Sequence, residues 1–257
     1  MDQFEESTLL IPSSKIFEGI VKCGNGINNV CEEIWKEIGH NKSVTDLVFE
    51  NSQAWTRKFI ELTMAIKFKG IVLGTGDLSE LMLGWCTMFG DHASHYNVNC
   101  SVPKTLISDL ILWKAFHSEK NLSDCLKSIL NTKISPELLP AINDEISQDT
   151  EENVGPYDLN DFFSYYFIRF GFSPLKIYRL AIAAFIEQSK EPKYNKKEIK
   201  EWLLKFLNRF FNSQFKRNCV PDGPKLGSIG VSPRGDWRMP SDIDKEIWLK
   251  DLSEIDE

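Results

Sequence analysis

The sequence has no long apolar run, no excess of basic residues and no closely paired cysteines. None of its apolar runs approaches the ~20 residues that cross a bilayer, so we expect no membrane-spanning helix. A net charge of −7 argues against general binding to nucleic acid or anionic membranes, because both need a basic face. The six cysteines show no CxxC spacing, which favours free thiols over a disulfide framework. The acidic amino terminus, MDQFEEST, is unlike a secretory or mitochondrial targeting segment, so the cytoplasm is the default compartment.

A strand, turn and helix are predicted in succession over residues 70–83. The apolar residues 71–73 indicate a short buried strand, and the Gly-Thr-Gly of residues 74–76 allows the backbone to turn sharply and approach a ligand closely. Asp77 then begins a helix, and Glu80 stands three residues later, which is the spacing of a capping box. The end of a strand in an open α/β sheet is where such proteins bind nucleotides.

Two carboxylates and one amine in this region suit ATP chemistry. Glu80 and Asp91 bracket one helix, and Mg²⁺ prefers oxygen ligands of this kind. Lys104 lies in the first turn of a helix predicted over residues 103–117, where a cation opposes the helix dipole. A lysine at this position lowers the stability of the helix, but it can bind a phosphate group that approaches the helix N-terminus. On spacing alone, Glu80 is equally consistent with a plain helix cap and Lys104 with a solvated lysine.

Two other functions compete for the same stretch. Cys86, His92, His95 and Cys100 resemble a zinc tetrad by residue type, but their C-x5-H-x2-H-x4-C spacing lacks the CxxC or HxxxH pair usual in structural zinc sites. A nicotinamide-dependent oxidoreductase built on the Gly-x-Gly of residues 74–76 would need a third glycine where Ser79 stands. We therefore favour ATP chemistry over both.

Several ordered motifs carry a family resemblance. They are GTGDLSEL at 74–81, LGW at 83–85, GD at 90–91, SHYNVN at 94–99, VPKTL at 102–106, GPYDL at 155–159, DFF at 161–163, and QFKR at 214–217 through SPRGDWRMPSD at 232–242. Together they resemble the synthetase domain of glutamine-dependent NAD⁺ synthases. The resemblance covers roughly residue 35 to the end of the sequence.

The resemblance implies an α/β fold. We expect a partial parallel sheet of the adenine-nucleotide α-hydrolase (PP-loop ATPase-like) type with a large helical C-terminal portion. As a partial synthetase domain, the chain divides into a poorly matched segment (1–34), an α/β nucleotide-binding part (35–140) and a helical part with a basic tail (141–257). It contains neither the family's SGGxDS pyrophosphate loop nor space for the glutaminase domain of many members. The chain therefore looks like the latter part of a synthetase domain.

The implied activity is ATP-dependent amidation of deamido-NAD⁺ to NAD⁺ through an adenylylated intermediate. Ammonia would come from solution or from a glutaminase domain or subunit. Lys104 is the implied catalytic residue, because it would stabilise the negative charge on the leaving pyrophosphate and so bind ATP as well. The resemblance assigns Mg²⁺ to Glu80 and Asp91, and it assigns the positioning of ATP to Thr75 and Ser135.

Contacts to the dinucleotide substrate are implied for four further residues. Asn51 and Arg57 match family positions on a helix predicted over residues 50–68, although Trp55 stands where a first arginine is expected. Lys216 and Arg217 match the Lys-Arg pair of a tail that closes over the active site in this family. Arg57 is also consistent with an exposed helical arginine, and the tail with a solvated basic segment.

The helical region also indicates that the protein forms an oligomer. Aromatic residues are dense over 162–172, which indicates core and dimer packing, so we expect a homo-oligomer.

The missing phosphate loop and Trp55 support an alternative, in which the chain is a nucleotide-binding remnant or a regulatory subunit without turnover.

Overall fold

The computed structural model describes residues 26–134 and 150–253, so the predicted ATP contact Ser135 lies outside the described residues. The first of these ranges contains α1 (residues 26–37), α2 (Leu47–Lys67), β1 (Leu73–Gly74), α3 (Leu78–Leu83), β2 (Tyr96–Asn97), α4 (Lys104–Phe116) and α5 (Lys120–Asn131). The second contains α6 (Thr150–Val154), α7 (Tyr157–Phe170), α8 (Pro174–Ile182) with a π-helical turn (Ala183–Glu187), α9 (Lys196–Asn212), α10 (Gln214–Arg217) and α11 (Glu246–Ser253). Across these ranges the helices are too short or too polar to cross a membrane.

A small parallel sheet confirms the predicted fold class. Leu73 of β1 pairs with Tyr96 of β2, and Gly74 pairs with Asn97. Asp222 joins the same sheet through a parallel bridge to Tyr96, and its carbonyl accepts the Asn97 amide at 2.7 Å. The C-terminal tail is thereby attached beside β2, and α3 begins a few residues after β1 ends.

Two predictions about buried faces were wrong. The strand is Leu73–Gly74 rather than residues 71–73, and Leu73 is 53% exposed rather than buried. The predicted helix over 50–68 is present as α2. The helical spacing of Phe59, Leu62 and Ile66 in the sequence predicts that they face a core, but Phe59 and Ile66 are 71% and 79% exposed. The cause is that periodicity identifies an apolar stripe without showing what covers it, and nothing in the described ranges buries this one.

The core lies between α3 and the helices of the second range. It is a continuous apolar cluster that includes Leu78, Leu81, Met82, Leu83, Phe163, Phe167, Ile177, Leu203, Phe206 and Phe210. Phe167 meets Phe210 edge to face with ring centroids 5.2 Å apart, a favoured aromatic geometry. The prediction that the aromatic residues of α7 form core is confirmed for Phe163 and Phe167, whereas Tyr165 and Phe170 are exposed.

Helix α3 is short and is fixed at both ends. Its predicted capping box is confirmed, because the Asp77 side chain accepts the Glu80 amide and the Glu80 side chain accepts the Asp77 amide. The helix ends at Gly84, whose φ of +57° lies in the left-handed region that favours glycine. Isolated helices of this length do not persist in water, so packing and caps must supply the stability of α3.

Replacing Gly84 by alanine tests how tightly α3 is held. An alanine Cβ at Gly84 would lie 2.1 Å from Ser213 Oγ, whereas one at Gly171, with a φ of +61°, would meet no atom within 4 Å. We expect Gly171→Ala to lower the free energy of unfolding by about 1 kcal/mol from backbone strain alone. Gly84→Ala should lower it by about 3 kcal/mol, because strain and overpacking act together. Urea denaturation measures both values, and equal losses would contradict close packing at Gly84.

Candidate active site

The ammonium group of Lys104 lies between two carboxylates at the start of α3. Its Nζ is 2.6 Å from Asp77 Oδ2 and 2.7 Å from Glu80 Oε1. The Asp77 side chain is 2% exposed and that of Glu80 is 26% exposed, so the cluster is sheltered but reachable from solvent. The capping box supplies this arrangement, because it already brings Asp77 and Glu80 together at one helix terminus.

Burial and the neighbouring charges set the protonation states of Asp77 and Lys104. Burial and, to a lesser extent, the nearby Glu80 raise the pKa of Asp77 while Lys104 opposes the shift, and together they bring it to about 7. Burial lowers the pKa of Lys104, but Asp77 and Glu80 outweigh this effect and leave its pKa above the usual value. Lys104 is therefore charged at neutral pH, and the two carboxyl groups cancel its charge locally.

Side chains from α3 and α7 fix the first turn of α4. The N-cap of α4 is Pro103, which offers no side-chain cap. Instead, Ser79 Oγ accepts the Lys104 amide at 2.8 Å, and Asp161 Oδ2 accepts the Thr105 amide at 3.0 Å and the Thr105 hydroxyl at 2.8 Å. The Ser79 hydroxyl in turn donates to Asp161 Oδ1. Sequence reasoning assigned no role to Asp161, and the one available signal was its place in the DFF motif.

Tyr157 closes one side of the cluster. Lys104 Nζ lies 5.5 Å from the centroid of the Tyr157 ring, within reach of a cation–π interaction. The residue is 3% exposed, and its buried hydroxyl has no hydrogen-bond partner among the residues that the structure describes. Burial, followed by the charges of Glu80 and Asp77, raises the pKa of this hydroxyl. A buried unpaired hydroxyl is costly, so a water molecule or a ligand atom would stabilise it.

The second predicted metal ligand, Asp91, lies on the loop after α3. Its Oδ1 accepts the Thr87 amide at 2.5 Å, and the Thr87 hydroxyl donates to Asn51 Oδ1 at 2.8 Å. Thr87 thus links Asp91 to the predicted substrate contact Asn51 on α2. Glu80 is close enough to Asp91 to raise its pKa, although desolvation contributes more. No three acidic, histidine or cysteine side chains converge on a metal position in the described ranges.

Thr75 and Arg57, two further site residues predicted from the sequence, are both exposed. Thr75 is exposed on the loop between β1 and α3. Arg57 is exposed on α2 and forms no ion pair within the described part of the chain. Trp55, at the position of the expected arginine, donates its indole N–H to the Met88 carbonyl at 2.8 Å. The structure therefore brings Lys104 and Glu80 together, and it shows no contact between Arg57 and that cluster.

Lys216 and Arg217 hold the C-terminal end of α3. Lys216 Nζ donates to the carbonyls of Gly84 at 2.8 Å and Cys86 at 2.7 Å. Arg217 is 1% exposed and donates to the Leu81 and Met82 carbonyls at 3.2 and 3.1 Å. These carbonyls belong to the last turn of α3 and to the residues directly after it, and cations are favourable at a helix C-terminus. Protein atoms enclose Arg217 in this arrangement. Its contact with the dinucleotide stays a prediction.

The side chains of three of the four residues of the alternative zinc site have other partners. His92 uses Nδ1 to bind the Thr87 carbonyl at 2.8 Å and Nε2 to meet Cys219 Sγ at 3.4 Å. His95 Nδ1 accepts the Val72 amide at 2.9 Å, and Cys100 Sγ contacts the Pro224 carbonyl at 3.5 Å. These bonds attach the loop to β1 and to the C-terminal tail.

A family model described as NAD synthase matches residues 19–167, which is more than half of the chain. The chain belongs to the NAD synthase family. A glutamine-dependent NAD(+) synthetase from Mycobacterium leprae is 45% identical over 237 residues, which cover 84% of this chain and 35% of that relative. The Thermotoga maritima synthetase of the same name is 24% identical over 233 residues, which cover 91% of this chain and 34% of that relative. This member therefore spans about a third of the length of these curated relatives.

A solved structure supports the fold of this NAD synthase family member. The crystal structure of a glutamine-dependent NAD(+) synthetase from Cytophaga hutchinsonii matches with a TM-score of 0.65 and 22% sequence identity. The match covers 91% of this chain and 35% of the other. At this identity the likeness shows the shared fold.

Removing the Arg217 guanidinium should destabilise the protein strongly. Arg217→Met would remove the guanidinium donor from the buried carbonyls of Leu81, Met82 and Phe210, of which Leu81 keeps the Gly84 amide, and we expect a loss of about 3 kcal/mol in the free energy of unfolding. Arg238 is the matched control, because it also donates to backbone carbonyls but is exposed. Arg238→Met should change stability by less than about 0.5 kcal/mol, since water replaces its bonds. Similar losses in the two variants would show that burial of Arg217 is not what matters.

Proposed function

We propose that this chain carries the part of an NAD synthase that binds ATP and Mg²⁺, and that it serves the amidation of deamido-NAD⁺ to NAD⁺. In this reaction ATP adenylylates the nicotinate carboxylate, pyrophosphate leaves, and ammonia displaces AMP. Membership of the family and 45% identity to glutamine-dependent NAD(+) synthetases support the reaction class. The observation that carries the proposal is the position of Lys104 between Asp77 and Glu80.

Lys104 would act on the leaving pyrophosphate. An ammonium group has three N–H donors, and two of them point to Asp77 and Glu80. The third is available for a phosphate oxygen. Because two carboxylates hold the ammonium in place, it needs little reorganisation as negative charge grows on the leaving group. The exposed Glu80 side of the cluster provides the route of approach.

The carboxylates of Glu80 and Asp91 suit the way in which Mg²⁺ usually binds to proteins. Mg²⁺ binds to one or two carboxylates and completes its shell with water and phosphate oxygens. Glu80 uses one oxygen for Lys104 and the other for the Asp77 amide, and each oxygen keeps a second lone pair. When bound, Mg²⁺ would add positive charge to that of Lys104, which Asp77 and Glu80 partly offset. Glu80 and Asp91 would be the ligands.

The other site residues complete the proposal. Thr75 and Ser135 would position ATP, while Asn51 and Arg57 would position the dinucleotide. Trp55 cannot form the bidentate bond of the arginine it replaces.

Lys216 and Arg217 would reach the same substrate from the tail, within the helical part of residues 141–257. Exposed apolar side chains on α2 and α4 would pair two copies of the chain. Ammonia would come from solution or a glutaminase, and the cytoplasm would be the compartment.

One alternative function stays open, which is a nucleotide-binding remnant or regulatory subunit without turnover. The sequence contains no SGGxDS loop, and Trp55 donates to the Met88 carbonyl at a position where the resemblance implies an arginine. Such a protein would keep Glu80, Asp91 and Lys104 for nucleotide binding and would form no NAD⁺.

NAD⁺ formation separates the two functions. The family's SGGxDS loop supplies amide donors to the pyrophosphate, and loss of a single preorganised donor costs about 3 kcal/mol of barrier, roughly a hundredfold in rate. We therefore expect the 257-residue chain to form little or no NAD⁺ from deamido-NAD⁺, ATP, Mg²⁺ and ammonia. A version joined to the missing half of the synthetase domain should turn over, and Lys104→Ala should abolish this activity. Robust turnover by the short chain would contradict its incompleteness, and an inactive joined version would favour the remnant.

Dependence of ATP binding on Mg²⁺ tests the metal ligands. Titration calorimetry should show that Mg²⁺ tightens binding of ATP to the native chain, and that Asp91→Asn removes this effect. The matched control is Asp124→Asn, which alters an exposed carboxylate on α5 and should leave the effect of Mg²⁺ intact. If Asp91→Asn binds ATP with the same Mg²⁺ dependence as the native chain, Asp91 is not a ligand.

A further inference from the structure

We infer that Asp161 is a positioning residue that fixes Lys104 for its contact with phosphate, acting through Ser79 and Thr105. The inference rests on the proposed function of Lys104 and assigns a role to a residue that does not itself touch the ammonium group. It is carried by the hydrogen bonds at the start of α4.

The Asp161 carboxylate accepts three hydrogen bonds from two other elements. Oδ1 accepts the hydroxyl of Ser79 on α3, and Oδ2 accepts the amide and the hydroxyl of Thr105 on α4 at 3.0 and 2.8 Å. Asp161 belongs to α7, 82 residues away from Ser79 along the chain. One carboxylate thus joins the three helices that surround Lys104.

This carboxylate replaces the cap that α4 lacks. The first amides of a helix have no partner within the helix, and a negative charge near them is favourable. Pro103 provides no side-chain cap, so the Lys104 amide goes to Ser79 and the Thr105 amide to Asp161. The start of α4 is therefore held by tertiary contacts rather than by its own sequence.

Asp161 also sets the direction of the Ser79 hydroxyl. A hydroxyl has one proton and two lone pairs, and Ser79 gives its proton to Asp161. A lone pair is then turned toward the Lys104 amide, which it accepts at 2.8 Å. Lys104 is consequently bound to α3 at its backbone through Ser79 and at its ammonium group through Asp77 and Glu80. Loss of the Asp161 charge would loosen the backbone attachment and let the ammonium group sample other positions.

The test compares Asp161→Asn with Asp158→Asn in the 257-residue chain. Ser79 donates to Oδ1 and Thr105 donates to Oδ2, and an asparagine carries an acceptor at only one of these two positions, so it loses one of the two contacts. Asp158 is the matched control, because it lies on the same helix but pairs with the hydroxyl of the buried Tyr194 and with the exposed Lys193, away from Ser79 and Thr105. Acylation of lysine amines by an N-hydroxysuccinimide ester at one fixed pH, followed by peptide mass spectrometry, measures how freely each amine moves. Lys58 is the internal reference, because it is 6% exposed and reports general loosening of the fold.

We expect Lys104 to be acylated about fivefold faster in Asp161→Asn, which corresponds to the loss of one ordinary hydrogen bond. Lys58 should keep its native rate in that variant, and both lysines should keep it in Asp158→Asn. An unchanged acylation rate at Lys104 would overturn the inference. Equal rises at Lys104 and Lys58 would also overturn it, because they would show general loosening of the fold rather than an effect on Lys104. If Asp161→Asn does not fold, Ser79→Ala takes its place, with the same selective rise expected.

Addition of ATP and Mg²⁺ separates this inference from the proposed function. Protection of Lys104 in the native chain, together with unchanged labelling in Asp161→Asn, would support phosphate binding and overturn the positioning role. A selective rise in Asp161→Asn without protection by ATP would support the positioning of Lys104 and count against the proposed function. With both inferences correct, ATP protects Lys104 in the native chain and protects it less in Asp161→Asn.

Discussion

The ion pairs of Lys104 with Asp77 and Glu80 are the constraint on which the rest of this site depends. A sheltered ammonium group is costly to desolvate unless opposite charges and hydrogen bonds surround it, and here two carboxylates of one helix terminus do so at 2.6 and 2.7 Å. The same carboxylates form the capping box of α3, so the geometry of the helix start and the position of Lys104 depend on each other. A change in either would move the other.

The six-residue helix α3 is stable because the protein holds it from both ends. Its start carries the capping box, and its last carbonyls accept donors from Arg217, about 135 residues further along the chain. Lys216 binds the carbonyls of Gly84 and Cys86 directly after the helix. Its side chains lie in the main core. The C-terminal region therefore supports the position of Glu80 by binding the far end of the helix that bears it. This explains why basic residues of the tail matter to the site even where they are enclosed by protein.

Local signals in the sequence predicted part of this structure. The capping box of Asp77 and Glu80, the start of α4 at Lys104 and most of α2 follow from patterns of a few residues, and all three are confirmed. The predicted burial of Leu73 and Phe59 was wrong, because an apolar pattern does not show whether another element covers it. The roles of Asp161 and Arg217 depend on contacts between residues 56 to 136 positions apart, which no local pattern encodes. The family resemblance supplied the chemistry, whereas it did not show that Arg217 is enclosed.

The most direct test of this account is an experimental structure of the chain with ATP and Mg²⁺. The account predicts a phosphate oxygen within hydrogen-bond distance of Lys104 Nζ, with the bonds from Nζ to Asp77 and Glu80 retained and the cation on Glu80 and Asp91. A nucleotide bound away from α3, with Lys104 held by its two carboxylates alone, would contradict it.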